Sequence, residues 1–174
     1  MNPVVNIILE DGRSIKVTLF PEHAPLSVEN FLKHVDNKMY DGVIFHRVIA
    51  NFMIQTGGYK VEENTLMELA PAESVVGEFA SNGFNNELKH VPGVLSLART
   101  SDPNSASGQF FICSAECPWL DGEYAAFGKV CDSESLKVVM ELEAVQTGTL
   151  GPGFADFPYE LIVIKEVLYS EKPF

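Results

Sequence analysis

The sequence predicts a closed eight-stranded antiparallel β-barrel capped by two α-helices. Three observations predict it. Apolar and polar residues alternate in about eight short segments, the period of half-buried strands. Only two stretches, far apart in the chain, carry apolar residues at helical spacing. Strand–helix pairs do not recur as a doubly wound parallel sheet requires, and closing the sheet removes exposed edges.

The first two strands are expected at residues 4–10 and 14–20, joined by Asp11-Gly12, a tight-turn dipeptide. Pro21 ends the second strand and Pro25 suits the first turn of a helix. Val28, Phe31, Leu32 and Val35 form its apolar stripe, which carries the helix to residue 35 or 37. Tyr40-Asp41-Gly42 turns the chain into a strand at 45–49, and a second strand follows through Met53 and Gln55. Period-2 alternation places Phe45, Arg47 and Ile49 on one face of the former. Gly57-Gly58 reads as a bend at a strand end. Residues 59–92 carry mostly loop chemistry, with an extended piece at 74–79. Strands resume at 93–99, 109–114 and 126–131. Asp132 or Ser133 caps a second helix with Leu136, Val139 and Met140 facing inward. A Gly/Pro-rich loop at 148–158 precedes a closing strand at 159–168.

No repeat or linker divides the 174 residues, so residues 1–174 are expected to form one domain, long enough to bury roughly 70% of the unfolded surface. The formal net charge is −12 and no Lys/Arg cluster exceeds a pair, which argues against nucleic acid or an anionic membrane as partner. Met1-Asn2-Pro3-Val4 has no basic, then apolar, leader pattern, and no apolar run approaches ~20 residues. Three cysteines, Cys113, Cys117 and Cys131, read as reduced thiols of a cytoplasmic protein. The histidines are scattered, so neither a metal nor a cofactor is expected, and a monomer is assumed.

Candidate chemistry lies in three strand segments. Arg47, Met53 with Gln55, and Gln109 with Phe111 each sit where alternation turns them onto a common surface. Converging, they make an apolar groove with one guanidinium and two carboxamides and no evident nucleophile. Such a groove binds and reshapes a peptide rather than cutting it. Taken singly, Arg47 would be a solvated charge, and Gln55 and Gln109 would satisfy barrel backbone groups. His46 alternates away from Arg47 and reads as a structural, hydrogen-bonded histidine.

Residues 45–49, 52–58, Gly93-Val94-Leu95-Ser96-Leu97-Ala98, Ser107-Gly108-Gln109-Phe110-Phe111-Ile112, and Trp119-Leu120-Asp121-Gly122 followed by Phe127-Gly128-Lys129-Val130 resemble the cyclophilins, peptidyl-prolyl cis-trans isomerases. The likeness runs in order from the first hairpin to the last strand. The 59–92 segment and Ala98-Arg99-Thr100 look like the prokaryotic branch. The resemblance implies that Arg47 is catalytic, that Gln55 contacts the substrate backbone and holds Arg47, and that Phe52 belongs to the same catalytic set. It implies a proline pocket of Phe52, Met53, Phe111 and Leu120, a groove lined by Ala98, Arg99 and Gln109, Trp119 at the rim and Tyr124 as a wall. Partners would be proline-containing peptides and protein clients in folding, together with cyclosporin-type inhibitors. Arg99 and Tyr124 stand where an Asn and a His are common, and these two positions would alter inhibitor affinity.

Two other classes share parts of this pattern. A proline-peptide binding module or chaperone-like scaffold would have the same groove with incidental turnover. A lipocalin-like barrel would be hollow, whereas the inward Leu97, Phe110, Ile112 and Val130 are bulky.

Overall fold

Alternating strands bury one face, and here eight of them curl around a shared apolar interior. The computed structural model describes residues 2–171. Strands β1 (Val4–Leu9), β2 (Ser14–Leu19), β3 (Val43–Ile49), β4 (Met53–Glu62), β6 (Val94–Leu97), β7 (Phe110–Cys113), β8 (Ala126–Val130) and β11 (Ile164–Glu171) form the sheet. Its order is β11-β1-β2-β8-β6-β7-β4-β3, antiparallel throughout. A short β5 (Thr65–Glu68) extends β4, and β9 (Thr147–Gly148) pairs with β10 (Phe157–Pro158). Helices α1 (Pro25–Asp36) and α2 (Ser133–Glu143) complete the fold.

The barrel is less closed than the sequence suggests. Its terminal strands meet through one isolated bridge, Ile44 to Val163, and the backbone bonds Gly42 N to Ile164 O (2.8 Å) and Phe45 N to Ile162 O (3.0 Å). The closing strand also starts later than expected. Residues 159–161 leave the β9–β10 hairpin as exposed chain, and regular pairing begins at Ile164.

The interior is solid. Leu97, Phe110, Ile112 and Val130 all join the main core, as their bulk predicts. Phe31 of α1 contacts Phe110 edge-on at 5.3 Å, and Tyr40 contacts it at 5.4 Å. Val28, Phe31 and Val35 of the α1 stripe are buried and Leu32 is partly so.

In α2 the stripe is rotated. Val139 and Leu142 are buried, Leu136 packs partly against the core, and Met140 is 41% exposed. The inward place expected for Met140 goes to Glu143, whose carboxylate accepts a bond from Asn51 N (2.8 Å). Asn51 occupies the β3–β4 turn at φ 61°, so α2 fixes the turn that separates Arg47 from Phe52.

The 59–92 segment holds two surprises. Glu63 and Asn64, both at positive φ, make the tight turn of a β4–β5 hairpin. Glu78, 1% exposed, supplies what α1 lacks locally. The residue before α1 is Ala24, which has no capping oxygen, and the Glu78 carboxylate instead accepts from Leu26 N (3.2 Å), Ser27 N (2.6 Å) and Ser27 Oγ (2.7 Å). The expected extended piece at 74–79 makes only the Val75–Ala106 bridge. Glu78→Ala leaves the buried Ser27 amide and hydroxyl, and the partly buried Leu26 amide, without their acceptor. It should cost about 2–3 kcal/mol in denaturant unfolding, with Glu78→Gln costing less. A loss within about 0.5 kcal/mol, the range of neutral surface changes, would show that water caps the helix equally well.

Candidate active site

Strand β3 would bury Arg47 beside Phe45 if its alternation were regular. It is not regular. Phe45 pairs with Thr56 and Arg47 pairs with Gln55, so β3 advances two residues while β4 advances one. This bulge sends Phe45 into the core and Arg47 outward, which corrects the expectation that they share a face. Ile49 does stay on the Arg47 side and packs against a second apolar cluster of Met53, Phe111, Cys113, Cys117 and Leu120.

That cluster floors a hollow of about 130 Å³ lined by Arg47, Phe52, Met53, Gln55, Ala98, Arg99, Phe111, Leu120 and Tyr124. All nine belong to the set named from the sequence. Two others stand apart. Gln109 lies one hydrogen bond away, and Trp119, 60% exposed, leans on Phe52 from outside at 5.8 Å between ring centres.

Arg47 Nη1 donates to Gln55 Oε1 (3.2 Å), and Gln55 Nε2 donates to Gln109 Oε1 (2.9 Å). The other four N–H groups of the guanidinium meet no acceptor, and no carboxylate pairs with it, among the described residues. A charge-bearing donor is thus aimed by neutral groups and left available.

Gly57 and Gly58 lie inside β4 rather than at a bend. Gly57 has φ 100°, and a Cβ there would strike Gly108 O; one on Gly58 would strike the Gln109 carboxamide. Close passage of the 108–109 backbone requires Gly57, while the Gln109 side chain packs on Gly58.

Arg99 builds the far wall. Its guanidinium lies over Tyr124 (4.6 Å) and Phe79 (4.9 Å) and donates to Glu123 O (2.8 Å from Nη2) and Thr100 O (2.9 Å). Tyr124 in turn meets Phe111 edge-on at 5.8 Å.

A buried triad under Phe111 carried no signal in the sequence. His90, 1% exposed, stacks on Phe111 at 6.2 Å. Its Nδ1 contacts Asp121 Oδ1 (2.9 Å) and its Nε2 contacts Ser96 Oγ (2.9 Å). Asp121 as carboxylate only accepts, so Nδ1 carries the proton and Nε2 accepts from Ser96. Burial pushes the His90 pKa down against the opposing pull of Asp121. Asp121 also accepts from His90 N (2.7 Å), which ties the Trp119–Leu120 turn to the segment leading into β6.

His46 is buried, as expected, but its Nδ1 has no partner among the described residues, contrary to a hydrogen-bonded role. Its ring meets Tyr59 edge-on at 4.7 Å. Burial, then the Arg47 charge, pushes its pKa from near 6.5 down to about 4. The unfolded chain therefore takes up a proton that the folded protein refuses. Stability conferred by neutral His46 is complete above pH 6.5 and declines as pH falls toward 4. The loss should reach about 3 kcal/mol from this residue. Burial lowers His34 and His90 in the same direction. Thermal midpoints measured from pH 7 to 4 should fall steadily; a flat profile would contradict neutral burial of these rings.

Among the described residues no three His, Cys, Asp or Glu side chains gather as a metal site. Cys113 and Cys117 are buried free thiols in the cluster floor and Cys131 is exposed. Burial raises the pKa of both buried thiols, so they act as apolar lining rather than nucleophiles.

A family model described as cyclophilin type peptidyl-prolyl cis-trans isomerase matches residues 4–168. A peptidyl-prolyl cis-trans isomerase of Acinetobacter baylyi is 43% identical over 79% of this chain and 71% of its own length. Peptidyl-prolyl cis-trans isomerase A of Dickeya dadantii is 36% identical over 95% of this chain and 84% of its own. Among solved structures, a cyclophilin-type isomerase of Cryptosporidium parvum superposes with TM-score 0.76 at 28% identity, covering 99% of this chain and 100% of that one. A second structure of that protein, in the presence of the dipeptide Ala-Pro, gives 0.74 at 31% identity, covering 97% and 99%.

Proposed function

Because the chain belongs to the cyclophilin-type peptidyl-prolyl cis-trans isomerases and so accelerates rotation about X–Pro bonds in protein folding, we propose that Arg47 is the residue that lowers the rotational barrier. The carrying observation is a guanidinium with four unengaged N–H groups at the mouth of a small hollow with an apolar floor.

Amide resonance sets a barrier of about 18–20 kcal/mol, and uncatalysed exchange takes tens to hundreds of seconds. A turnover near 10³ s⁻¹ requires lowering it by about 6 kcal/mol. No covalent step is needed. As the amide twists, its nitrogen becomes pyramidal and regains a lone pair, which Arg47 can meet only in that state. A charge-assisted bond supplies about 1.5–3 kcal/mol. Fixing the ring against Phe52, Met53, Phe111 and Leu120, and removing water around the amide, supplies the rest. Gln55 aims Arg47 and offers its amide to the substrate backbone, Ala98 and Arg99 flank the acyl side, and Gln109 lines the groove beside Gln55. A guanidinium suits this role because it stays charged and projects a rigid fork.

The Cryptosporidium relative whose structure was determined in the presence of the dipeptide Ala-Pro supports a proline-containing peptide as the ligand here. The whole chain, residues 1–174, acts as one isomerase domain, as a monomer, on exposed X–Pro bonds of folding or folded clients. No described helix is long and apolar enough to cross a membrane, and three free thiols suit a cytosolic setting. Cyclosporin-type peptides would meet exposed Trp119 directly, while Arg99 stacked on Tyr124 reshapes the opposite wall.

NMR exchange spectroscopy on an Ala-Pro peptide is the test. Catalysed exchange at substoichiometric protein, with line broadening confined to the prolyl segment, is expected; an unchanged exchange rate would refute this reading.

A further inference from the structure

We propose that a second, polar hollow across Arg47 from the pyrrolidine pocket is a subsite for the residue following the proline, and that it selects an acidic or amide side chain there. This rests on the isomerase reading given above. The hollow measures about 200 Å³ and is lined by His46, Arg47, Gln55, Tyr59, Gln109 and the turn at 153–155.

Its chemistry follows from the direction of the hydrogen-bond chain. Arg47 donates to Gln55 and Gln55 donates to Gln109, so each carboxamide oxygen already accepts one bond from its neighbour. What remains at the two ends are donors: the free guanidinium N–H groups and the Nε2 of Gln109. Arg47 and Gln109 both line this hollow. The Tyr59 hydroxyl adds a third donor, and no Asp or Glu lines the space. Arg47 brings the one formal charge, since burial keeps His46 neutral down to about pH 4. A wall of donors with one positive charge takes an acceptor, best a carboxylate, next a carboxamide.

The walls are built rather than incidental. His46 packs edge-on against Tyr59 at 4.7 Å, Tyr59 against Phe154 at 5.1 Å, and Phe154 against Phe157 at 6.4 Å. Val48 N donates to Asp156 O (2.9 Å), pinning the 153–155 turn to the strand that carries Arg47. The chain charge of −12 repels distant anions, but screening within about 8 Å at physiological salt leaves the local donors to decide.

Direction is set by what the two hollows share. They have Arg47 and Gln55 in common, while Ala98 and Arg99, which the isomerase reading above puts on the acyl side, line only the pyrrolidine pocket. The chain leaving the prolyl carbonyl therefore crosses Arg47 into the second hollow.

The test uses Ala-Ala-Pro-X-Ala peptides with X as Glu, Gln, Ala or Lys, and a matched series varied two residues before the proline. The wild-type protein should favour Glu over Lys after proline about three- to tenfold in kcat/KM, with Gln between them. Ala155 is exposed on the turn, so Ala155→Glu should fold and erase or invert that ratio, and Ala155→Lys should enlarge it. Each ratio is read within one variant, so changes in basal turnover cancel. A ratio near one in wild type, a ratio unchanged by Ala155→Glu, or a preference confined to the preceding side would overturn the subsite. Absence of turnover on every peptide would instead overturn the isomerase reading on which it rests.

Discussion

Arg47→Ala should lower kcat/KM for an Ala-Pro peptide by about 10²-fold while changing KM little. The magnitude follows from losing one charge-assisted bond made mainly in the twisted state, about 1.5–3 kcal/mol, with the larger figure applying where water is excluded. An interaction absent from the planar ground state appears in kcat rather than in binding. Arg47 has no ion-pair partner among the described residues and is exposed, so its removal should leave the unfolding midpoint within about 0.5 kcal/mol of wild type. Arg47→Lys should recover little, because a single ammonium cannot hold the Gln55 oxygen and still present a second donor in a fixed direction. The same protein separates isomerase from scaffold. If Arg47→Ala retains full turnover, the guanidinium is not the catalytic group. If it loses turnover yet a proline-peptide partner still depends only on binding, the groove has a use apart from catalysis.

Neighbouring phenylalanines of β7 should fail in opposite ways. Phe110 is fully buried at the centre of the barrel, in ring contact with Phe31, Tyr40 and Phe127. Phe110→Ala opens a cavity in a solid core and should cost about 3–5 kcal/mol of stability. Phe111 points to the other face, onto the pyrrolidine hollow, with Tyr124 and His90 about it. Phe111→Ala opens its space to an existing hollow, so stability should fall less while KM rises and kcat falls together. Denaturant midpoints and peptide kinetics on both variants decide the matter. Equal destabilisation with equal loss of activity would mean that core and groove are not separable through this strand.

Much of the site was legible because the sheet translates sequence parity into facing. Met53 and Gln55, or Gln109 and Phe111, two residues apart on strand segments, must emerge on one side, and the hollow draws Met53, Gln55 and Phe111 from that logic. Phe52, Ala98, Arg99, Leu120 and Tyr124 were legible only through the family resemblance. The bulge between Phe45 and Arg47 broke the parity rule and was invisible, since an extra residue in one strand leaves no compositional trace. Nothing in the local sequence marks Glu78 or Glu143 as buried, yet each bonds backbone amides brought up from 50 residues or more away. Met140 looked equivalent to its neighbours on the helical wheel, and only the Asn51 amide decides that Glu143 turns inward instead. His90 and Asp121 lie 31 positions apart, so no spacing rule joins them. The closing strand was placed too early because Ile162 and Val163 are apolar, although the chain there is still emerging from the β9–β10 hairpin.

Trp119 is the single tryptophan of the chain, and it rests on Phe52 with most of its surface in water. Its indole is therefore a built-in optical probe: a peptide pressing on Phe52 would strip solvent from it and move its emission toward the blue. Affinity can then be titrated by fluorescence in an unlabelled sample, including in a variant whose turnover is too slow to follow.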